Sequence, residues 1–466
     1  MSAHSATGVG VAAAPSSRDT PYHGEALYRE RVNPLWVRLL DVLQMNARYV
    51  RSEGTELYTD DGRRILDFLS GYCVHNLGHN HPAVIEAIKD ELDRRGPAML
   101  QSHVPELAGV LADKLCWRAG GRVKKAFFCS SGSEGVEAAI KFARAHTRRN
   151  GLLYAEGAFH GLTCGALSLM GDPFWRERFG PLLQETEAVP FGNLAVLEEK
   201  LSTKRFAAFF VEPIQGEGGV RVPPPVYLET AQALCRRHRT LVVADEVQTG
   251  LYRTGRFLAS HHSNIEPDMI VLAKALSGGL IPSAVLLMSD QVYESAYGSI
   301  ARAIVHTSTF SENGLAMRAG LATLEALERE HLGERALAAG DYLRARLRQA
   351  LSGYEMVKEV RGAGLLNGIE FQPPRKLALR ASFEAFSVIH PGMFGQVVVM
   401  RLFRSGFLTQ MCGNNFMVLK VAPPLVVRER EMDEFAHAVT DVVEMMHSSS
   451  TFWTEALGLA RRVMTK

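Results

Sequence analysis

Six short apolar runs recur along the middle of the chain, at Ala126–Ser130, Leu152–Ala155, Ala207–Val211, Leu241–Ala244, Met269–Ala273 and Ala284–Met288, with amphipathic helical stretches between them. A strand that is apolar end to end, rather than at every second residue, is buried on both faces. Strands of that kind alternating with helices build a mostly parallel α/β sheet with helices on each side. The chain has 466 residues, 47% of them apolar and 22% charged, which is enough apolar mass to bury such a core and excludes a wholly disordered protein.

The rest of the sequence divides around this block. Residues 1–20 are small and polar and read as a disordered tail. Residues 21–81 form an N-terminal lobe: Leu35, Trp36, Leu39, Leu40 and Leu43 sit at helical spacing, and 55–66 turns through an Asp60-Asp61-Gly62 hairpin signal. Residues 82–350 make the large domain, and 351–466 a smaller α+β domain with a strand at Leu365–Glu370 and a helix around Met432–Met446. No internal repeat is present.

Lys and Arg number 52 against 50 Asp and Glu, a net charge of +2, which gives no support for a nucleic-acid partner bound through bulk charge. The six cysteines (Cys73, Cys116, Cys129, Cys164, Cys235 and Cys412) are scattered without a C-x-x-C pair. They read as reduced thiols of a cytosolic protein rather than a disulfide framework or a metal site. The first residues lack a basic segment followed by an apolar one, and no uncharged apolar run approaches the roughly 18 residues of a spanning helix. A cytoplasmic protein is the expectation.

Three loci could carry chemistry. Ser131-Gly132-Ser133-Glu134 follows an apolar run and opens a helical pattern, with Ser131 and Glu134 at capping-box spacing. Such a helix start offers free N–H donors and a positive dipole end to a phosphate dianion, or is simply a capped helix. Asp245 closes the run Leu241–Ala244 at the carboxyl end of a buried parallel strand, where ligands bind in open α/β sheets, though an acid there can also cap a helix. Lys274 ends the run Met269–Ala273. A desolvated lysine is a usable amine nucleophile, and the alternative is a snorkelling surface lysine. Together the three are more specific than any one, because a phosphate cradle, an acid and a buried lysine at neighbouring strand ends are what pyridoxal phosphate requires.

On these residues the chain resembles the class III aminotransferases, pyridoxal-phosphate enzymes of fold type I. GYCVHNLGHNHP (71–82), SSGSEGVEAAIKFAR (130–144), GAFHG (157–161), VEPIQGEGG (211–219), ADEVQTGLYRTG (244–255), HTSTF (306–310) and RGAGLLNGIE (361–370) all resemble family segments. The resemblance implies a seven-stranded sheet, a homodimer with shared active sites, and Lys274 in a Schiff base with the cofactor. It also implies Asp245 on the pyridine nitrogen, Phe159 on the ring face, Gln248 at the ring hydroxyl, and Ser131, Gly132 and Ser133 at the phosphate. Thr309 would bind the phosphate held by the neighbouring subunit.

The nearest branch by motif is that of the putrescine and ornithine/acetylornithine enzymes, where Tyr72 would contact substrate and Glu217 would pair with an arginine that receives an α-carboxylate. The arginine position carries Lys420, which cannot form the bidentate fork. The small residues usual after the interface threonine are Ser311-Glu312-Asn313, so Glu312 either borders the neighbour's site or points to solvent. The implied function is ping-pong transfer from a primary amine, diamine or ω-amino acid to an α-keto acid, with an aminomutase of the glutamate-1-semialdehyde kind as one alternative. Apolar stripes at 35–43 and at Phe452, Trp453, Leu457, Ala460 and Met464 indicate core or dimer packing. On the other reading these helices lie on a membrane, which would suit a lipophilic aldehyde such as those of the hopanoid-associated members.

Overall fold

The computed structural model describes residues 24–464 except 98, 101, 377–378, 381–382, 385–391 and 449, and omits the side chains of 450, 451, 456, 460, 463 and 464. The polar tail read at 1–20 lies outside the described residues. The helix Pro34–Leu43 starts with proline in its first turn, where a missing N–H costs nothing, and Asn33 caps it by accepting the Trp36 N–H at 3.0 Å. Strands β1 (Tyr49–Glu53), β2 (Glu56–Thr59) and β3 (Arg64–Asp67) follow as an antiparallel meander whose second turn falls on Asp60–Gly62.

The central sheet has seven strands: β4 (Val123–Cys129), β5 (Gly151–Ala155), β6 (Thr186–Val189), β7 (Phe206–Val211), β8 (Leu241–Asp245), β9 (Met269–Leu272) and β10 (Ala284–Ser289). Their order is β4-β10-β9-β8-β7-β5-β6, with β10 antiparallel to both neighbours and the other pairs parallel. Each of the six apolar runs is a strand. The seventh, β6, is an edge strand of sequence TEAV, half-buried, whose Glu187 pairs with Lys200 and Arg205 at the surface. It lacks the apolar run because only one of its edges and part of its faces are covered. Side chains alternate between two layers. Val271 and Leu286 join Ile140, Phe142 and Phe210 on one face, while Ile270, Leu272 and Val285 join Leu111 and Leu324 on the other.

The C-terminal part forms a second antiparallel sheet from β11 (Val357–Ala363), β12 (Leu366–Phe371), β14 (Gln410–Cys412) and β15 (Asn415–Val421). The short strand β13 (Phe407–Leu408) leaves it to pair in parallel with β3, so both ends of the chain share one sheet. Phe68 beside β3 stacks on Phe435 of the helix Glu429–Ser448 at 4.3 Å, sealing that junction.

The terminal stripes are not single buried faces. On the helix Pro34–Leu43, Val37 and Leu43 are buried while Leu35 is 71% exposed; on Ser450–Met464, Phe452 and Trp453 are buried and Leu457 is 54% exposed. Among the described residues no helix is long and apolar enough to cross a membrane.

Candidate active site

The carboxyl ends of β4, β5, β7, β8 and β9 converge on one cavity of about 1350 Å³. Ser131, Gly132, Ser133, Phe159, Glu217, Asp245, Gln248 and Lys274 line it, and Tyr72 joins them from the N-terminal lobe. Two expected residues stand apart. Lys420 lies behind Glu217 with no exposure, and Thr309 is exposed outside the cavity, as is Glu312.

Ser131 caps the helix Gly132–Thr147, its hydroxyl accepting the Glu134 N–H at 3.3 Å. The return bond of the expected capping box is shifted by one residue: the Glu134 carboxylate accepts the Ser130 N–H at 3.0 Å and the Ser308 hydroxyl at 3.3 Å. The first-turn N–H groups of Gly132 and Ser133 have no intrahelical acceptor and stand at the cavity wall. A side chain at 132 would meet Val247 at 3.0 Å, so glycine lets the helix start sit against the end of β8.

Asp245 is held from two sides: one carboxylate oxygen lies 2.8 Å from His160 Nδ1, and the other accepts the Val247 N–H at 3.0 Å. Burial works against a charge on His160, yet the hydrogen bond to Asp245 and the charges of Asp245 and Glu212 outweigh it and carry the imidazole above its ordinary value. Burial pushes Glu212 up to about 7, although the neighbouring His160 opposes this. Glu212 also ties two loops together by accepting the Phe159 N–H at 3.0 Å and the Gly216 N–H at 2.9 Å. His160 and Glu212 were not singled out in the sequence reading, although both stand inside its quoted motifs, GAFHG and VEPIQGEGG.

Lys274 follows β9 in a left-handed conformation (φ 50°), which turns its side chain away from the strand's own alternation. Among the described residues no side chain hydrogen-bonds or ion-pairs with its Nζ. Phe159 packs edge-to-face on Trp175 at 5.6 Å, and the Trp175 indole N–H donates to Asn414 at 2.8 Å. Asn414 in turn donates to the Gly157 and Ala158 carbonyls at 3.1 Å each, fixing the loop that carries Phe159. Trp175 was also missed, because it lies outside any motif and reaches the site only through the fold.

Glu217 pairs closely with Lys420, accepts the Gly413 N–H at 2.8 Å, and faces Gln248 Nε2 at 3.5 Å. Burial pushes Glu217 up, but Lys420 more than offsets this and holds the carboxyl below its usual range. Burial likewise disfavours the Lys420 cation, and Glu217 raises it above the ordinary lysine value. The Tyr72 ring lies 5.3 Å from Lys420 Nζ. Tyr72 belongs to a run of four left-handed residues from Ser70 to Cys73, with φ from 51° to 70°. Asp67 secures that turn by accepting the Leu69 and Ser70 N–H groups at 2.9 and 2.8 Å, so the strained backbone is held from below.

This donor set fits a phosphorylated pyridine aldehyde. A helix start stands where a dianion binds, a twice-anchored carboxylate shares the cavity with an aromatic ring, and an unpaired lysine amine lies at the next strand end.

The family model for aminotransferase class-III matches residues 40–443. Over 457 residues the chain is 36% identical to the aminotransferase PigE of Serratia sp. (strain ATCC 39006), covering 91% of this chain but 53% of that protein, so it spans about half of that relative's length. It is 34% identical over 436 residues to the putrescine aminotransferase of Pectobacterium atrosepticum, covering 91% of this chain and 88% of the relative. The solved ornithine aminotransferase of Toxoplasma gondii, with pyridoxal phosphate at partial occupancy in its active site, superposes with a TM-score of 0.78 at 28% identity, covering 95% of this chain and 96% of that one.

Proposed function

The chain belongs to the class-III aminotransferase family and is a pyridoxal-phosphate-dependent transaminase of fold type I, and from that premise we propose that it moves the amino group of a primary amine, diamine or ω-amino acid to an α-keto acid such as 2-oxoglutarate or pyruvate. The pairing of Glu217 with Lys420 carries the donor reading. An α-carboxylate needs an available cation, best an arginine fork. The cation here is a lysine without exposure, already engaged by Glu217. Donors without an α-carboxylate escape that deficit, and the likeness to a putrescine aminotransferase supports the same reading.

Pyridoxal phosphate supplies, when bound, an aldehyde that takes up the donor nitrogen and a pyridine ring that draws off electrons. Ser131, Gly132 and Ser133 hold its phosphate, and Phe159 covers the ring face. Gln248 meets the ring hydroxyl. Asp245, kept in place by His160 and the Val247 N–H, holds a proton on the pyridine nitrogen. Lys274 Nζ would hold the cofactor through its aldehyde carbon and would carry the proton as base and then acid. Tyr72 and Glu217 border the donor.

The working unit is a cytoplasmic homodimer. Thr309, exposed beside Phe310, would reach the phosphate held in the partner subunit. Light scattering checks the dimer.

A donor screen tests the reading: putrescine, 4-aminobutyrate, β-alanine, ornithine and glutamate against 2-oxoglutarate and pyruvate, following the cofactor's absorbance in the half-reaction. Donors lacking an α-carboxylate should lead. Glutamate turning over faster than every donor that lacks an α-carboxylate would overturn the donor assignment, and isomerised product without a keto acid would show an aminomutase.

A further inference from the structure

The cavity is too large and too unevenly charged for a short diamine. Its volume of about 1350 Å³ exceeds the roughly 300–1,000 Å³ of ordinary small-molecule sites, leaving room beyond a cofactor and a four-carbon donor. The charged side chains that line it, Asp172, Glu212, Glu217, Asp245 and Lys274, all come from the central-sheet side. The opposite wall belongs to the helices Pro34–Leu43, Met393–Arg404 and Ser450–Met464. Among the described residues it is formed by Trp36, Leu39, Leu40, Leu43, Met393 and Leu459, with Gln396 and, from β14, Gln410 as its polar members and no charged side chain.

These helices pack on one another, and the Arg462 guanidinium donates to the Val42 carbonyl at 3.0 Å, closing the arm from outside. Leu43, Met393 and Leu459 are buried, whereas Trp36 and Leu39 are 46% and 43% exposed. A second ammonium or a carboxylate entering this arm would lose its hydration and find no counter-ion among the described residues that line it. A hydrocarbon would gain by leaving water.

We propose that this arm is a subsite for the apolar body of the amine substrate and of its aldehyde, so that the enzyme acts on an amphiphilic monoamine whose nitrogen reaches Lys274 while a hydrocarbon part of about six to ten carbons lies against the helix Pro34–Leu43. The assignment rests on the amine-donor reading above and narrows it.

The test is a homologous series of n-alkylamines from butylamine to decylamine, with putrescine alongside, assayed on the holoenzyme with pyruvate as acceptor. The kcat/KM should rise roughly threefold per methylene over at least four methylenes, close to a hundredfold in all, and putrescine should fall well below hexylamine. In Leu39→Asp, which places a carboxylate in the arm at a half-exposed position, the decylamine-to-butylamine ratio should collapse to below about tenfold. In Leu35→Asp, on the same helix but outside the cavity, it should stay as in the parent. A flat series with measurable turnover overturns the subsite and leaves the amine-donor reading standing. Turnover of none of these amines while glutamate and alanine react overturns that reading itself. A steep series unchanged in Leu39→Asp places the tail elsewhere and refutes the assignment to this arm.

Discussion

Replacing Lys420 by methionine isolates the buried pair on which the donor assignment depends. The change keeps most of the side-chain volume but removes the cation from a residue without exposure, leaving Glu217, 13% exposed, with the Gly413 N–H and the distant Gln248 amide among the described residues. Breaking one half of a buried ion pair costs about 3–5 kcal/mol. The lower figure applies here, because Glu217 keeps one good hydrogen bond and borders the cavity.

Over 466 residues the entropy of unfolding is about 1 kcal/mol/K, so a loss of about 3 kcal/mol lowers Tm by about 3 °C. The pH dependence gives a sharper signature. The Glu217 pKa is depressed below 4.5, so its contribution is present above that value and lost as pH falls through the folded pKa. The Lys420 pKa is raised above 10.5, so its contribution is present below that value and lost only as pH rises through the folded pKa. Between about pH 5 and 10 the parent pair is therefore constant.

In Lys420→Met burial, the largest influence on Glu217, is opposed by the Gly413 N–H and the Lys274 charge but no longer by Lys420, and it raises the carboxyl pKa, so acid relieves the stranded charge. The Tm gap should be widest near pH 8 and narrow toward pH 5. Adding Glu217→Gln should recover most of the loss. Calorimetry of the parent, Lys420→Met, Glu217→Gln and the double variant reads all of this. A gap under 1 °C at pH 8, or a double variant no better than Lys420→Met alone, would refute the coupling.

Three further outcomes follow from the same geometry. Lys420→Arg should raise kcat/KM for ornithine and glutamate relative to putrescine by about tenfold, since the guanidinium can bind a carboxylate bidentately; steady-state kinetics with unchanged donor ratios would count against residue 420 as the α-carboxylate receptor. Asp245→Asn should lower kcat by roughly 10²–10³ with the fold intact, because the charge facing the ring is lost; circular dichroism and half-reaction rates separate the two effects. In Gly216→Ala the new methyl group would sit 1.4 Å from Gln248 Oε1, so the glutamine must swing away, and the purified variant should retain less cofactor by absorbance while unfolding at nearly the parental temperature.

The central sheet was legible because strands buried on both faces have to be apolar throughout, and β5, β7 and β9 are, as are β8 up to Asp245 and β10 up to Ser289. The edge strand β6 obeys a weaker constraint and carried no comparable signal. Ser131, Gly132, Ser133, Asp245 and Lys274 could be found because they close a strand or open a helix, which ties sequence position to position in space, whereas Phe159, Glu217 and Gln248 lie in loops and were named only through the family resemblance. Trp175 and Asn414 could not be found that way, because they meet across 239 residues and their pairing exists only in the folded chain. The same holds for the apolar arm. The sequence shows an apolar stripe at 35–43, but which residues face the core, the cavity or solvent depends on the helices Met393–Arg404 and Ser450–Met464 that pack beside it. The lysine at 420 was visible as a departure, whereas its complete burial behind Glu217 was not.

The most direct measurement reduces the purified holoenzyme with borohydride, digests it and maps the pyridoxyl-bearing peptide by mass spectrometry. The tag should fall on the lysine of the peptide spanning MIVLAKALSGG, at Lys274, and vanish in Lys274→Ala. A tag on any other lysine, or none on cofactor-loaded parent protein, would contradict the account.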